Sequence, residues 1–255
     1  MHRAILYYEQ LHPAYQITTY PLYRVAVIHN SSIPDLPTFP RSMPRSLILL
    51  LLGRVATAAT LPLFQPWNAS TWTASDDSVR PGGLSTSALE VLAPGTSDNP
   101  FSAPIIKFSG TLNSAALNGS GFASQRTVDE WPGVDLSCYS GLIIEIPYTD
   151  GKTYTLNFRD TVPPRVNGVE QASVSWDYDF QIPATGTSAP AGKYKQFVFR
   201  FEDLVPTYRG SVQNDTAPLN LTSIKRVNFM IRSFFGRDQQ EGDFELRIRS
   251  VLATT

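Results

Sequence analysis

Histidine is missing from most of this chain: of 255 residues only His2, His12 and His29 carry an imidazole, and none follows residue 29. That absence removes the commonest general base and the commonest metal ligand from the bulk of the sequence. Cysteine is nearly missing as well. The single Cys138 excludes an intramolecular disulfide and a cysteine-rich zinc site. No charge of one sign dominates, since 21 Lys+Arg oppose 22 Asp+Glu for a formal net charge of -1, which argues against a basic nucleic-acid binder. The apolar run Leu47 to Leu52 is six residues long, far short of the roughly 20 that a membrane-spanning helix requires. G-x-S-x-G, G-x-G-x-x-G, Walker and HExxH motifs are all absent. What remains, 42% hydrophobic and 17% charged, is a globular composition without an obvious catalytic apparatus.

Composition changes near residue 64. Residues 1–63 hold one glycine, Gly53, no lysine, and five arginines against Glu9 and Asp35. Prolines 34, 37, 40 and 44 forbid a helix or a central strand there. This segment reads as a poorly ordered extension ahead of a domain over 64–255. Three origins stay open for it. If translation starts at Met43, Arg45, the 47–52 run and Ala56-Thr57-Ala58 resemble a short secretory signal. An arginine-bearing, acid-poor segment also fits a mitochondrial presequence, and residues 1–42 fit a gene-model artefact.

Residues 64–255 alternate apolar and polar side chains at a period of two. The clearest runs are Tyr154, Leu156, Phe158; Val174, Trp176, Tyr178, Phe180; Phe197, Phe199, Phe201; Val227, Phe229, Ile231; and Phe244, Leu246, Ile248. Weaker strands are expected over 87–92, 105–111, 122–128 and 141–147. Turn signals such as Asn118-Gly119, Pro132-Gly133 and Asp150-Gly151 separate them. Short helical turns are expected only near Glu202-Asp203-Leu204 and Leu221 to Ser223. Nine strands with no long 3.6-residue period predict an all-β antiparallel sandwich or jelly roll.

Four groups of residues invite a chemical reading. Ser75-Asp76-Asp77 offers oxygens to a calcium ion, although the plainer reading is a loop in which Asp76 or Asp77 pairs with Arg80 and caps backbone amides. Arg126, Arg159, Arg200, Arg226, Arg232, Arg247 and Arg249 recur inside strand patterns. They are either a solvated face paired with groups such as Asp160 or Glu245, or a recognition face for an acidic partner. Trp176, Tyr178 and Tyr194 are at strand spacing, which suits the core more than a sugar-stacking platform. Ser124, Ser137, Ser140 and Cys138 are the nucleophile candidates, but no histidine accompanies them, and Cys138 reads as a small buried side chain. Sequons at Asn30, Asn68, Asn118, Asn214 and Asn220 matter only in a secreted chain.

Read in order, short pieces of the domain resemble the complex I intermediate-associated protein 30 family. They begin with Trp72, Ser75-Asp76-Asp77-x-Val79-Arg80 and Gly82-Gly83-x-Ser85, then Phe108-x-Gly110 and Gly121-Phe122-Ala123-Ser124-x-Arg126. Asp135-Leu136-x-x-Tyr139-x-Gly141-Leu142 and Asp150-Gly151-Lys152-x-Tyr154 follow. Pro206-x-Tyr208-Arg209-Gly210, Ile224-Lys225-Arg226 and Gly242-Asp243-Phe244-x-Leu246 complete the set, so that the resemblance covers about residues 66–253. It implies a galactose-binding-like β-sandwich of the short fungal type and a non-enzymatic, mitochondrial role in assembling respiratory complex I. It implies no catalytic residue, cofactor or metal, no nucleic acid, and at most peripheral membrane association; cytoplasmic and secreted locations are the alternatives. Protein partners, the assembly intermediates of complex I, are expected to dock on a rim formed by Asp76, Asp77, Arg80, Arg126, Tyr208 and Arg209. The alternative is a carbohydrate-binding module of a secreted protein, which requires an exposed aromatic strip. An enzyme such as a glycosidase needs two carboxylates ~5–10 Å apart in a cleft, and nothing in the sequence selects such a pair.

Overall fold

Where side chains alternate between apolar and polar, strands form. The computed structural model describes residues 59–168, 170–185, 193–234 and 240–255, so the expectations for residues 1–58 lie outside the described residues. In chain order the strands are β1 Thr60–Leu63, β2 Trp72–Ala74, β3 Thr86–Leu92, β4 Ile105–Leu112, β5 Phe122–Thr127, β6 Gly141–Ile146, β7 Tyr148–Thr149 and β8 Thr153–Arg159. They continue as β9 Ser175–Gln181, β10 Lys195–Arg200, β11 Val205–Tyr208, β12 Ser211–Val212, β13 Arg226–Arg232, β14 Gly242–Ile248 and β15 Ser250–Thr254. Every strand expected from alternation is present, and Phe201–Asp203 and Leu221–Ser223 are short 3-10 turns as expected.

The strands make two layers. One is a seven-stranded antiparallel sheet in the order β12-β11-β9-β8-β13-β5-β2. The other is built from two four-stranded sheets, β1-β15-β6-β10 and β3-β4-β14-β7. These share chain at two bends: β6 gives way to β7 at Pro147, which has no N–H for the ladder, and β14 to β15 at Arg249. The Arg249 carbonyl, freed at its bend, accepts from Trp67 Nε1 at 2.9 Å and Gln65 Nε2 at 3.0 Å.

Aromatic rings join the layers. Phe108 and Phe244 of the second layer lie 6.2 and 6.4 Å from Tyr154 of β8, while Phe197 meets Phe180 at 4.9 Å and Phe199 stacks on Tyr178 at 4.5 Å. Burying each such ring contributes about 1.5–3 kcal/mol. The all-β sandwich read from the sequence is the fold of the described residues.

Two expectations change. Residues 60–63 grouped by composition with the extension, yet they form β1 and pair with β15 from Thr60↔Thr254 to Leu63↔Val251. Pairing to an edge strand needs only backbone groups and so leaves little trace in composition. Cys138 is exposed rather than buried. Leu136 takes the buried position, and the turn closed by Tyr139 N–H on the Leu136 carbonyl (3.0 Å) carries Cys138 to the surface.

Candidate functional site

The seven-stranded sheet turns its aromatic positions inward and leaves a polar outer face. By strand alternation this face carries Thr155, Asn157 and Arg159 on β8, Asp177 and Asp179 on β9, Arg226, Asn228 and Arg232 on β13, and Ser124 and Arg126 on β5. Register sets Asp177, Asn157, Asn228 and Arg126 in one row across β9, β8, β13 and β5. Arg159 opposes Arg226 in the neighbouring row. Such a face would ordinarily be wet. Here Asn157 and Asn228 are each 2% exposed, Arg226 2% and Arg126 4%.

The burial follows from two loops that bring carboxylates over the arginines. Glu170 reaches Arg126 Nε at 3.0 Å, Arg226 Nη1 at 2.5 Å and Arg159 Nη1 at 3.4 Å. Asp129 pairs with Arg126 at 3.0 Å, with Arg226, and with the half-exposed Arg165 at 3.1 Å. A second cluster lies beside the first: Arg232 bonds Asp177 at 3.0 Å and Asp179 at 2.7 Å, while Ser175 and Thr207 donate to Asp177. Burial, then repulsion from Arg126 and Arg159, pulls Arg226 below the ordinary guanidinium range against the attraction of Glu170 and Asp129. Arg159 is lowered likewise, first by burial and then by Arg126, despite Glu170 and Asp177. Burial raises Asp177, and its bonds to Arg232, Ser175 and Thr207 do not fully offset this.

Not every polar atom of this face is satisfied. Among the described residues, the buried Oδ1 of Asn157 and of Asn228 find no hydrogen-bond donor, and Nε–H of Arg159, Arg226 and Arg232 finds no acceptor. Arg126 Nε is near Glu170 but not aligned for a hydrogen bond. Buried polar atoms without partners are uncommon in folded proteins, so several on one face mark it as unusual.

The rim expected from the sequence is not assembled. Asp77 is 0% exposed and accepts from Ser85 N (2.9 Å), Ser85 Oγ (2.7 Å) and Phe122 N (3.1 Å). Asp76 is 6% exposed and accepts from Ser87 N (2.9 Å), Ser87 Oγ (2.6 Å) and Ser124 N (2.8 Å). The two aspartates therefore stitch β3 and β5 to the loop before β3, through amide capping, and neither pairs with Arg80 among the described residues. Because N–H and O–H donors converge on these carboxylates, the calcium reading does not fit either. Arg126 belongs to the buried cluster. Arg80 is exposed, its guanidinium 5.0 Å from the Phe122 ring centre, and Arg209 lies 5.5 Å from the ring of Tyr208 in the β11–β12 turn. Phe122 is in register with Arg232, whereas Pro206, two residues before Tyr208, reaches Val227 through Trp176 and Phe158. Five residues along β13, roughly 17 Å, and four strand spacings across the sheet, roughly 19 Å, separate these ends, so the exposed members form two points.

Two of the nucleophile candidates and the stacking candidates have structural contacts, while Ser137 and Cys138 are exposed. Ser124 Oγ donates to the Ser75 carbonyl at 2.6 Å, and Ser140 Oγ to the Thr254 carbonyl at 3.3 Å. Trp176 is 7% exposed at the edge of a cavity of about 390 Å³ bounded also by Asp160, Ser173, Val174 and Pro218. Tyr194 lies over Arg249 at 4.9 Å. Of the proposed arginine partners, Glu245 does pair with Arg247, while Asp160 instead accepts the Asn220 amide. Asp129, Glu170, Asn157, Asn228 and Asp177 were not singled out from the sequence. Their one signal was polarity at alternate strand positions, which ordinarily marks a solvated face.

The sequence model of the complex I intermediate-associated protein 30 family matches residues 63–248. The chain belongs to that family. A relative within reach is an uncharacterized protein of Schizosaccharomyces pombe, 33% identical over 187 residues that span 73% of this chain and 79% of the relative. Among solved structures, the family 11 carbohydrate-binding module from Clostridium thermocellum, in complex with a β-1,3-1,4-mixed-linked tetrasaccharide, is 13% identical with a TM-score of 0.49, covering 78% of this chain and 96% of its own. A Caldicellulosiruptor saccharolyticus CBM27-1 in complex with mannohexaose is 13% identical with a TM-score of 0.35 over 77% of this chain and 97% of its own.

Several residues that carry the family resemblance have steric reasons to be what they are. A Cβ on Gly83 would sit 2.0 Å from the Asp77 carbonyl oxygen, and one on Gly110 would sit 2.0 Å from that of Thr86. The Asp76-Asp77, Gly82-Gly83 and Ser85 pieces of the family pattern are thus parts of one interlocked loop.

Proposed function

We propose that this domain is a non-catalytic binding module that assists assembly of mitochondrial respiratory complex I by holding its intermediates. The observation that carries the reading is the family match, which extends from the end of β1 through β14 and so takes in nearly the whole sandwich. The role belongs to the fold itself rather than to an appended motif.

Partner contact is assigned to the exposed survivors of the rim. At one end of the seven-stranded sheet Arg80 stands with Val79 and Leu84, 80% and 61% exposed; at the other, Tyr208 and Arg209 stand with Val212, 59% exposed. Apolar anchors beside cations suit an interface in which contact area gives affinity and charge steers encounter. A span of roughly 25 Å lies within one interface of ordinary size. Among the described residues no helix is long and apolar enough to cross a membrane, so an approach to the membrane arm through protein contact fits this reading.

Affinity capture of the tagged chain from mitochondria, with subunits identified by mass spectrometry, tests the assignment. Complex I subunits are expected with the wild type, and Tyr208→Ala with Arg209→Glu should cut their recovery by roughly tenfold. Recovery of no complex I subunit by the wild type overturns the reading. Of the aromatic residues the carbohydrate alternative would use, Trp176 is buried, Tyr178 is half-buried and stacked on Phe199, and Tyr194 is half-buried against Arg249.

A further inference from the structure

The inward-facing series of β8 ends on a charge. Tyr154, Leu156 and Phe158 are buried in the core, and the next position of the same alternation is Asp160. Beside it, the series Phe180, Tyr178 and Trp176 of β9 runs on to Val174. Because Phe158 pairs with Trp176, continuing the register by two residues sets Asp160 opposite Val174. A second apolar residue there would extend the core. Instead the place is a cavity of about 390 Å³, walled by Asp160, Val174, Trp176, Thr216, Ala217 and Pro218 among others. Its volume is that of a small-molecule site, for which about 300–1,000 Å³ is usual.

Asp160 also fixes the far wall. Its Oδ2 accepts the Asn220 amide at 2.9 Å, which ties the 216–218 stretch to the end of β8, and its Oδ1 accepts from Thr161 Oγ1 at 3.0 Å. Both donors are neutral, and among the described residues no lysine or arginine pairs with this carboxylate. A half-buried negative charge against apolar walls attracts a cation and repels an anion more strongly than it would in open water. Val174, Ala217 and Pro218 offer hydrocarbon surface rather than further charge. Trp176, 7% exposed, shows too little of its indole for a sugar ring to stack on, but enough for van der Waals contact with a methyl group.

We propose that this cavity binds a small methylated ammonium. The charged head lies beside the Asp160 carboxylate, and its methyl groups lie against Val174, Trp176, Ala217 and Pro218. An unmethylated ammonium is strongly hydrated and would have to shed water against these walls, whereas methyl groups bury there favourably. This goes beyond the holding of protein partners and does not depend on it.

An NMR titration of the purified full-length chain tests the proposal, with choline as the probe at fixed ionic strength. Ethanolamine carries the charge without the methyl groups, and dimethylbutanol is the uncharged carbon analogue of choline. Choline is expected to bind with a dissociation constant below about 1 mM, and each control more weakly by about tenfold. Asp160→Asn keeps one acceptor oxygen and removes the charge, so it should weaken choline by about tenfold and leave dimethylbutanol unchanged. If that variant fails to fold by circular dichroism, Ala217→Lys decides. It alters an exposed position and supplies a tethered ammonium that competes for Asp160, so choline should again weaken by about tenfold. Absence of choline binding by the wild type overturns the proposal. So does dimethylbutanol binding as tightly as choline, which leaves Asp160 without a role, or ethanolamine doing so, which removes the role of the apolar walls. Choline affinity unchanged by Ala217→Lys puts the binding elsewhere and overturns it as well.

Discussion

Asp77 sits where a carboxylate is the only side chain that satisfies its surroundings. Two backbone amides and one hydroxyl converge on it at 2.7–3.1 Å within a fully buried site. Asp77→Ala leaves those donors unpaired, each at about 1–3 kcal/mol, and a melting temperature lower by roughly 10 °C is expected for a domain of this size. Calcium should not shift the melting point of the wild type, because the oxygens already face hydrogen-bond donors. Asp129 gives a pH-dependent counterpart. Partial burial alone would raise its carboxyl, but the charges of Arg126, Arg226 and Arg165 and the Arg165 hydrogen bond outweigh that and hold it below the ordinary aspartate range. A depressed pKa means the folded state binds the proton less readily than the unfolded chain. The stability it contributes is therefore present above about pH 4 and lost as pH falls through the folded value. The melting-point difference between wild type and Asp129→Asn should be greatest near neutrality and shrink toward pH 3; a constant difference would contradict the ion-pair assignment. The pairing of Asp76-Asp77 with an amide-capping role was legible in the sequence. The identity of the donors was not, since Ser85, Ser87, Phe122 and Ser124 approach only when β3 and β5 are folded against the loop.

At the scale of strands, alternation carried most of the information. Runs such as Tyr154-x-Leu156-x-Phe158 expose one apolar face and one polar face, and that alone places β8 against a core. What alternation does not disclose is whether the polar face is wet. On β5, β8 and β13 its arginines are covered by Asp129 and Glu170, which arrive from loops without any periodic signature, so residues read as a solvated ladder became a buried network. Short elements were missed for a related reason: β7 and β12 are two residues each, defined by ladder hydrogen bonds rather than by side-chain pattern. The β3–β4 pairing tests how tightly strand contacts constrain side chains. Ser87 opposes Gly110, and a Cβ on Gly110 would lie 2.0 Å from the Thr86 carbonyl and 2.9 Å from the Ser87 Cα. Backbone cannot yield as a side-chain tip does. Gly110→Ala should therefore cost about 1–3 kcal/mol, read as a shift in the denaturant midpoint; an unchanged midpoint would mean β3 is free to move away.

For the molecule as a whole, apolar side chains from both layers fill the core, and the family match spans nearly all of the sandwich. Its charged residues divide between two jobs. Arg126, Arg159 and Arg226 are internal, while Arg80 and Arg209 remain on the surface at opposite ends of one sheet, beside exposed apolar groups. That division separates two experiments. Reversing the surface charges should weaken partner capture in a salt-dependent way and leave melting nearly unchanged, whereas neutralising the internal arginines should lower melting first. Native gel electrophoresis of mitochondria from the parent cells, followed by detection of the tagged full-length chain, tests the central claim most directly. The account expects the chain inside mitochondria and co-migrating with partial assemblies of complex I, but not with the finished enzyme. A chain found only outside mitochondria, glycosylated on sequons such as Asn68 and Asn118 and free of complex I subunits, would contradict it.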